Sequence, residues 1–156
     1  MHVYDFDGDG DNDVLTSLQA HAYGLSWYEN TGKDGAIEFQ ERKILGNKPE
    51  DNAYGVCFTQ MHSIDLADVD RDGVLDIVTG KRFWAHNGND PGGNDPPVLY
   101  WFKTDRRADG SVDFVPHLID DSSGVGTQVT AGDISGDGKV DIVVGNKRGT
   151  FVFVQD

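Results

Sequence analysis

Asp68-Val69-Asp70-Arg71-Asp72-Gly73-Val74-Leu75-Asp76-Ile77-Val78 sets acids at alternate positions, then a glycine, then an aspartate at the head of an apolar pair. The pattern recurs upstream as Asp5-Phe6-Asp7-Gly8-Asp9-Gly10-Asp11-Asn12-Asp13-Val14-Leu15. It recurs downstream as Asp133-Ile134-Ser135-Gly136-Asp137-Gly138-Lys139-Val140-Asp141-Ile142-Val143. All three read D-x-[DS]-x-D-G-x-x-D followed by two apolar residues. Their starts lie 63 and 65 residues apart. Such a period marks a repeat architecture and outranks local secondary-structure signals.

The flanks repeat as well. Each loop is followed by a β-rich run: Val14-Leu15-Thr16, Ile77-Val78-Thr79 or Ile142-Val143-Val144. An aromatic strand comes next: Leu25-Ser26-Trp27-Tyr28, Val98 through Phe102, or Thr150 through Phe153. A fourth strand follows in two units, from Ile37 through Ile44 and from Val112 through Ile119. Alternating apolar residues before the loops, such as Ile64 and Leu66 or Val129 and Ala131, supply the first strand. Four strands in ~60 residues make a propeller blade. The sequence therefore predicts an all-β chain of four-stranded antiparallel β-propeller blades, spanning 1–57, 58–123 and an incomplete 124–156. About two and three-quarter blades do not close a ring, since propellers close with about four to eight. The expectation is a partial propeller: the remainder lies in a longer protein, or copies assemble.

The alternating acids are metal chemistry. Calcium takes six to eight oxygen ligands, and aspartates alternating on a tight turn supply them. The expected ligands of the first loop are the side chains of Asp5, Asp7, Asp9 and Asp13, with the Asp11 carbonyl. In the second they are Asp68, Asp70, Asp72 and Asp76, with the Val74 carbonyl. In the third they are Asp133, Ser135, Asp137 and Asp141, with the Lys139 carbonyl. Gly10, Gly73 and Gly138 permit the sharp turn. An EF-hand shares this opening but needs a bidentate glutamate at position twelve between two helices. Here that position is Thr16, Thr79 or Val144, and the flanks are strands. Metal-free Asx turns would leave four carboxylates repelling at close range. Two to three bound calcium ions are expected, with the third loop weaker because Ser135 replaces an acid.

The net charge of −14 argues against nucleic acid as a partner, because phosphate recognition needs clustered Lys and Arg. Twelve of the 27 acids lie in the three loops, so much of the acidity is local ion chemistry. Twenty glycines and two methionines fit a turn-rich β chain. No apolar run approaches the ~18 residues of a membrane span. Cys57 is the only cysteine, which excludes an intrachain disulfide and reads as a plain packing residue. The N-terminal residues carry no signal-peptide pattern, and the first motif begins at residue 5.

These loops at this spacing resemble the FG-GAP/VCBS repeat proteins, the broad group that includes integrin α-subunit propellers. The stretch Val78 through His86 and the ending Gly145 through Phe151 look like the secreted or surface bacterial members. The resemblance covers essentially the whole chain and departs from the all-acid pattern at Ser135. It implies a calcium-stabilised propeller on an exported protein, located extracellularly, at the cell surface or in the periplasm. It also implies an adhesion or recognition role toward a protein or carbohydrate ligand.

A second site is expected on the face opposite the metal loops. Two long insertions leave from that end of the strands, Gly46 to about Cys57 and Trp84 to Pro97. Loops on a rigid scaffold carry function. His62, Lys81, Arg82 and His86 gather there, with His21 and Lys147 at comparable places in neighbouring units. They form a candidate pocket for a sugar or carboxylate, or else solvated rim residues. No catalytic residue is assigned, although His62 and His86 are candidates for acid–base work. A resemblance to aldos-2-ulose dehydratases, whose propeller carries lyase chemistry, keeps a sugar-active alternative open. Trp27 and Trp101 read as blade packing and His117 as an outer-strand surface residue.

Overall fold

A computed structural model describes residues 1–156. It is an all-β chain of three antiparallel sheets. The first contains β1 (His2–Tyr4), β2 (Asp13–Ser17), β3 (Leu25–Asn30) and β4 (Phe39–Leu45), paired in that order. The second contains β5 (Ile64–Ala67), β6 (Asp76–Gly80), β7 (Leu99–Arg106) and β8 (Val112–Asp120), again in order. The third has β9 (Val129–Gly132), β10 (Asp141–Asn146) and β11 (Gly149–Phe153). These are partial propeller blades without ring closure, and the sheets fall within the spans 1–57, 58–123 and 124–156. The fourth strand of the first sheet begins at Phe39, two residues after Ile37, which stands 75% exposed. Both long insertions carry a short 3-10 turn, Pro49–Asp51 and His86–Gly88.

Neighbouring sheets pack face to face, and period-two alternation decides which residue faces which neighbour. Leu15 pairs with Trp27 across β2 and β3, and Val78 pairs with Trp101 at the equivalent register. Phe6, Leu15, Leu25 and Trp27 pack against Ile77, Phe102 and Phe114 in one core. Ala67, Val69, Val78 and Leu99 pack against Val125, Val129, Ile142 and Val144 in another. The middle sheet is thus covered on both faces, and every residue of β6 is buried. Trp27 touches Phe6 and Phe114 edge-on, with centroids at 6.4 and 5.9 Å. Trp101 is only half-buried and stacks on His117 at 4.3 Å, since the three-stranded third sheet offers no counterpart of Phe114.

First strands lie side by side between units. His2 Nε2 meets the Ile64 carbonyl at 2.8 Å. The Val129 amide donates to Ser63 Oγ at 2.6 Å, and that of Ala131 to Asp65 Oδ2 at 2.8 Å. All three Asp-rich loops join a first strand to a second and therefore share one end of the stack. The connections after β2 and β6 emerge at the other end, about 15 Å away along a five-residue strand.

Candidate metal loops and a histidine site

The first aspartate of each loop caps the turn. Asp5 accepts the amides of Gly8 and Gly10 at 2.7 and 3.2 Å. Asp68 accepts those of Asp72 and Gly73, both at 3.0 Å. Asp133 accepts those of Gly136, Asp137 and Gly138 at 2.6, 3.1 and 2.9 Å. Gly10, Gly73 and Gly138 have φ of 100°, 91° and 82°. The fourth loop position is left-handed too, as Gly8, Arg71 and Gly136, so Arg71 adopts at φ 64° a conformation that favours glycine.

The last aspartate has a role that loop spacing does not reveal. Asp13 accepts the Phe6 amide at 2.9 Å and, through its other oxygen, the Asn30 amide on β3 at 2.8 Å. Asp76 accepts Val69 at 3.0 Å and Thr104 on β7 at 2.9 Å. Asp141 accepts Ile134, Ser135 and Gln155 at 2.9, 2.8 and 3.1 Å. Each of these buried carboxylates clamps the loop's entry to the third-strand segment beside it. Both oxygens of Asp13 and Asp76, and Oδ1 of Asp141, accept a single donor and retain lone-pair capacity for a cation.

Asp5, Asp7 and Asp13 present carboxylate oxygens within 4.8 Å of one another, and so do Asp68, Asp70 and Asp76. That fits one coordination sphere, whose diameter at ~2.5 Å per bond is about 5 Å. Burial, then the charges of Asp13, Asp9 and Asp5, pushes the Asp7 carboxyl up against the pull of the Asp9 amide. Burial pushes Asp76 up to about 6 although the Thr104 and Val69 amides pull down and Asp70 and Asp72 add to the rise. Both effects favour a cation. In the second loop the Lys103 ammonium reaches Asp70 and lies 2.7 Å from Asp72. The donor set therefore already attracts positive charge. In the first loop Arg106 donates to the Asp5 and Phe6 carbonyls, and no ammonium reaches the carboxylates.

A family model for the FG-GAP-like repeat matches residues 5–79, and one for the FG-GAP repeat matches residues 125–156. The chain belongs to the FG-GAP repeat family. The first match runs from the first Asp-rich loop through the second into β6, and the other takes in the third loop with β9 to β11, so the family pattern reaches all three loops of this FG-GAP chain. Among curated proteins no match is found. FG-GAP repeats occur in extracellular proteins, and no helix here is long and apolar enough to cross a membrane.

At the opposite end of this FG-GAP stack, His21 from the β2–β3 connection meets His62 and His86, with ring centroids at 4.6 and 4.4 Å. The Arg82 guanidinium donates to His62 Nε2 at 3.4 Å. Burial, then the charge of Arg82, lowers the His62 pKa, which keeps that ring a neutral acceptor. Asp90, from the long insertion, lies 3.3 Å from His21 Nδ1 and 3.0 Å from His86 Nδ1. Gln60 donates to the same Asp90 oxygen at 2.7 Å. The sequence brought forward His62, Arg82 and His86 for this site but not Asp90 or Gln60.

Lys81 lies beneath the site, not in its wall. It is 1% exposed, and its ammonium donates to Gln60 Oε1, the Arg82 carbonyl and the Gly93 carbonyl at 3.3, 3.4 and 3.3 Å. Burial lowers its pKa, with Asp95 and Asp90 pulling back. Lys147 reaches the Trp84 carbonyl at 3.3 Å, which leaves it outside the histidine group. We expect Lys81→Ala to cost about 3 kcal/mol of stability through a cavity and three orphaned acceptors. A denaturation midpoint unchanged by Lys81→Ala would return the lysine to the ligand-facing wall.

Proposed function

We propose that the chain is a calcium-held β-propeller repeat module that serves as a binding or adhesion scaffold of an exported protein. The observation that carries this reading is the repeated set of converging carboxylates, Asp5/Asp7/Asp13 and Asp68/Asp70/Asp76, on equivalent loops. Calcium is the cation of choice because every donor is oxygen. The loops are largely exposed, and exposed loops of this kind suit the high calcium of extracellular, cell-surface or periplasmic space. The reading extends to the VCBS-like secreted bacterial branch. Its ligand is a protein or a carbohydrate, taken on the face opposite the ions.

The test is stoichiometry. Calorimetric titration of chelator-treated protein with calcium is expected to give two to three equivalents. Asp72→Ala is expected to remove one equivalent, whereas Ser135→Ala weakens one without abolishing it, because Ser135 is a neutral ligand. A protein that binds no calcium refutes the proposal.

The histidine group favours a second reading, a sugar-active face. His62 is a neutral base beside Arg82, and His86 is paired with Asp90. A panel of keto-sugars and uronates would then show turnover that His62→Ala or His86→Ala abolishes with melting unchanged. Absence of turnover across the panel leaves binding alone.

A further inference from the structure

We infer that His21, His86 and Asp90 form a second metal centre, distinct from the calcium loops and selective for a borderline transition-metal dication of the zinc class. It shares no residue with the Asp loops, and it stands whether the face binds a ligand or transforms one.

The geometry is that of ligands around one ion. The Nδ1 atoms of both histidines and a carboxylate oxygen of Asp90 all lie within 4.8 Å of one another. The two nitrogen–oxygen separations are 3.3 and 3.0 Å. Donors ~2.1 Å from one ion stand about 3.4 Å apart at a tetrahedral angle and about 3.0 Å apart at a right angle. Asp90 gathers three nitrogens: His21 Nδ1 and the Gln60 side-chain amide on Oδ2, and His86 Nδ1 against both oxygens at 3.2 and 3.0 Å.

The support is built as metal ligands require. Gln60, fully buried, holds Asp90 and is itself held by Lys81. Outer contacts of this kind fix ligand orientation. The Gln60 amide donates to the Ala22 carbonyl at 2.9 Å, tying the His21 segment of one sheet to the next. Four non-glycine residues at the site have positive φ: Gln60 at 59°, Trp84 at 36°, His86 at 46° and Asn87 at 57°. Strain of this kind persists only where surrounding structure over-determines it. The side chains of His21 and His86 are 46% and 57% exposed, so an ion has an open approach and would keep free positions for solvent or ligand. Two imidazoles and one carboxylate suit zinc, cobalt or nickel and not calcium, which the all-oxygen loops take.

The experiment is a cobalt(II) titration of protein held at saturating calcium, followed by visible absorption and by paramagnetic shifts of the histidine ring protons. One equivalent should bind, with the His21 and His86 rings shifted and those of His2 and His117 unmoved. His21→Ala, His86→Ala and Asp90→Asn should each weaken binding by at least ~10-fold. No cobalt binding in the unaltered protein overturns the proposal, as does binding of equal strength in the two histidine variants. Should a variant fail to fold, the ring shifts in the unaltered protein decide: shifts confined to other histidines, or to none, overturn it equally.

Discussion

Saturating calcium added to chelator-stripped protein is expected to raise its melting temperature by about 15 °C. Each site filled at about 100 times its dissociation constant contributes about 2.7 kcal/mol. Two filled sites then give about 5 kcal/mol, and a chain of this length gains about 2–4 °C per kcal/mol. The first loop should contribute most. It holds Asp5, Asp7, Asp9, Asp11 and Asp13 with no ammonium on its carboxylates, whereas in the second loop calcium must displace Lys103 from Asp70 and Asp72. A corollary follows for Lys103→Ala: lower stability in chelator and a larger calcium increment. Differential scanning calorimetry with and without calcium checks both, and a melting temperature indifferent to millimolar calcium would remove the structural role of the loops.

The second large effect belongs to Asp76. Its carboxylate is fully buried and accepts the amides of Val69 and Thr104. Asp76→Ala orphans both donors, each costing about 1–3 kcal/mol, so a loss of about 3 kcal/mol is expected even in chelator. Asp76→Asn keeps one acceptor oxygen and should lose less. Asp72→Ala in chelator should change stability by under ~1 kcal/mol, because its partner Lys103 forms a partly exposed ion pair. With calcium present both alanine variants should lose the second site's calcium increment as well, so the gap between them persists while both fall further below the unaltered protein. Urea midpoints at constant m-value separate the cases. Equal losses in chelator would mean that the last aspartate of the loop is a ligand only and not a clamp.

Much of this fold is legible in the sequence because its signals are local and repeated. The loop pattern occurs three times, and the strands between loops alternate with period two. The expected strands appear within a residue or two of their expected ends, except that the one expected to stop at Phe102 runs on to Arg106. What escaped depends on register between strands. That Asp13, Asp76 and Asp141 reach Asn30, Thr104 and Gln155 follows only once second and third strands are paired. The placement of Lys103 over the second loop has the same origin. Lys81 reads as a surface cation because it follows a strand directly, yet the insertion from Trp84 to Pro97 folds over it and supplies Gly93 as an acceptor. Asp90 sits in a Gly-, Asn- and Pro-rich stretch without periodicity, so nothing in its neighbours marks it. The only hint was the length of the insertion itself.

The two cores share no residue and meet only through the sheet formed by β5–β8. Coupling along the stack is therefore between nearest neighbours, and the free energy of opening should form a gradient. Amides of β6, sandwiched between both cores, should exchange with solvent only on global unfolding. Those of β10 and β11 should exchange through detachment of the third sheet, an excursion that leaves Phe6, Trp27 and Phe114 packed. Calcium in the third loop would slow that local opening without altering exchange in β2. With calcium bound, each loop should then set the lifetime of its own unit, and the middle sheet that of the whole.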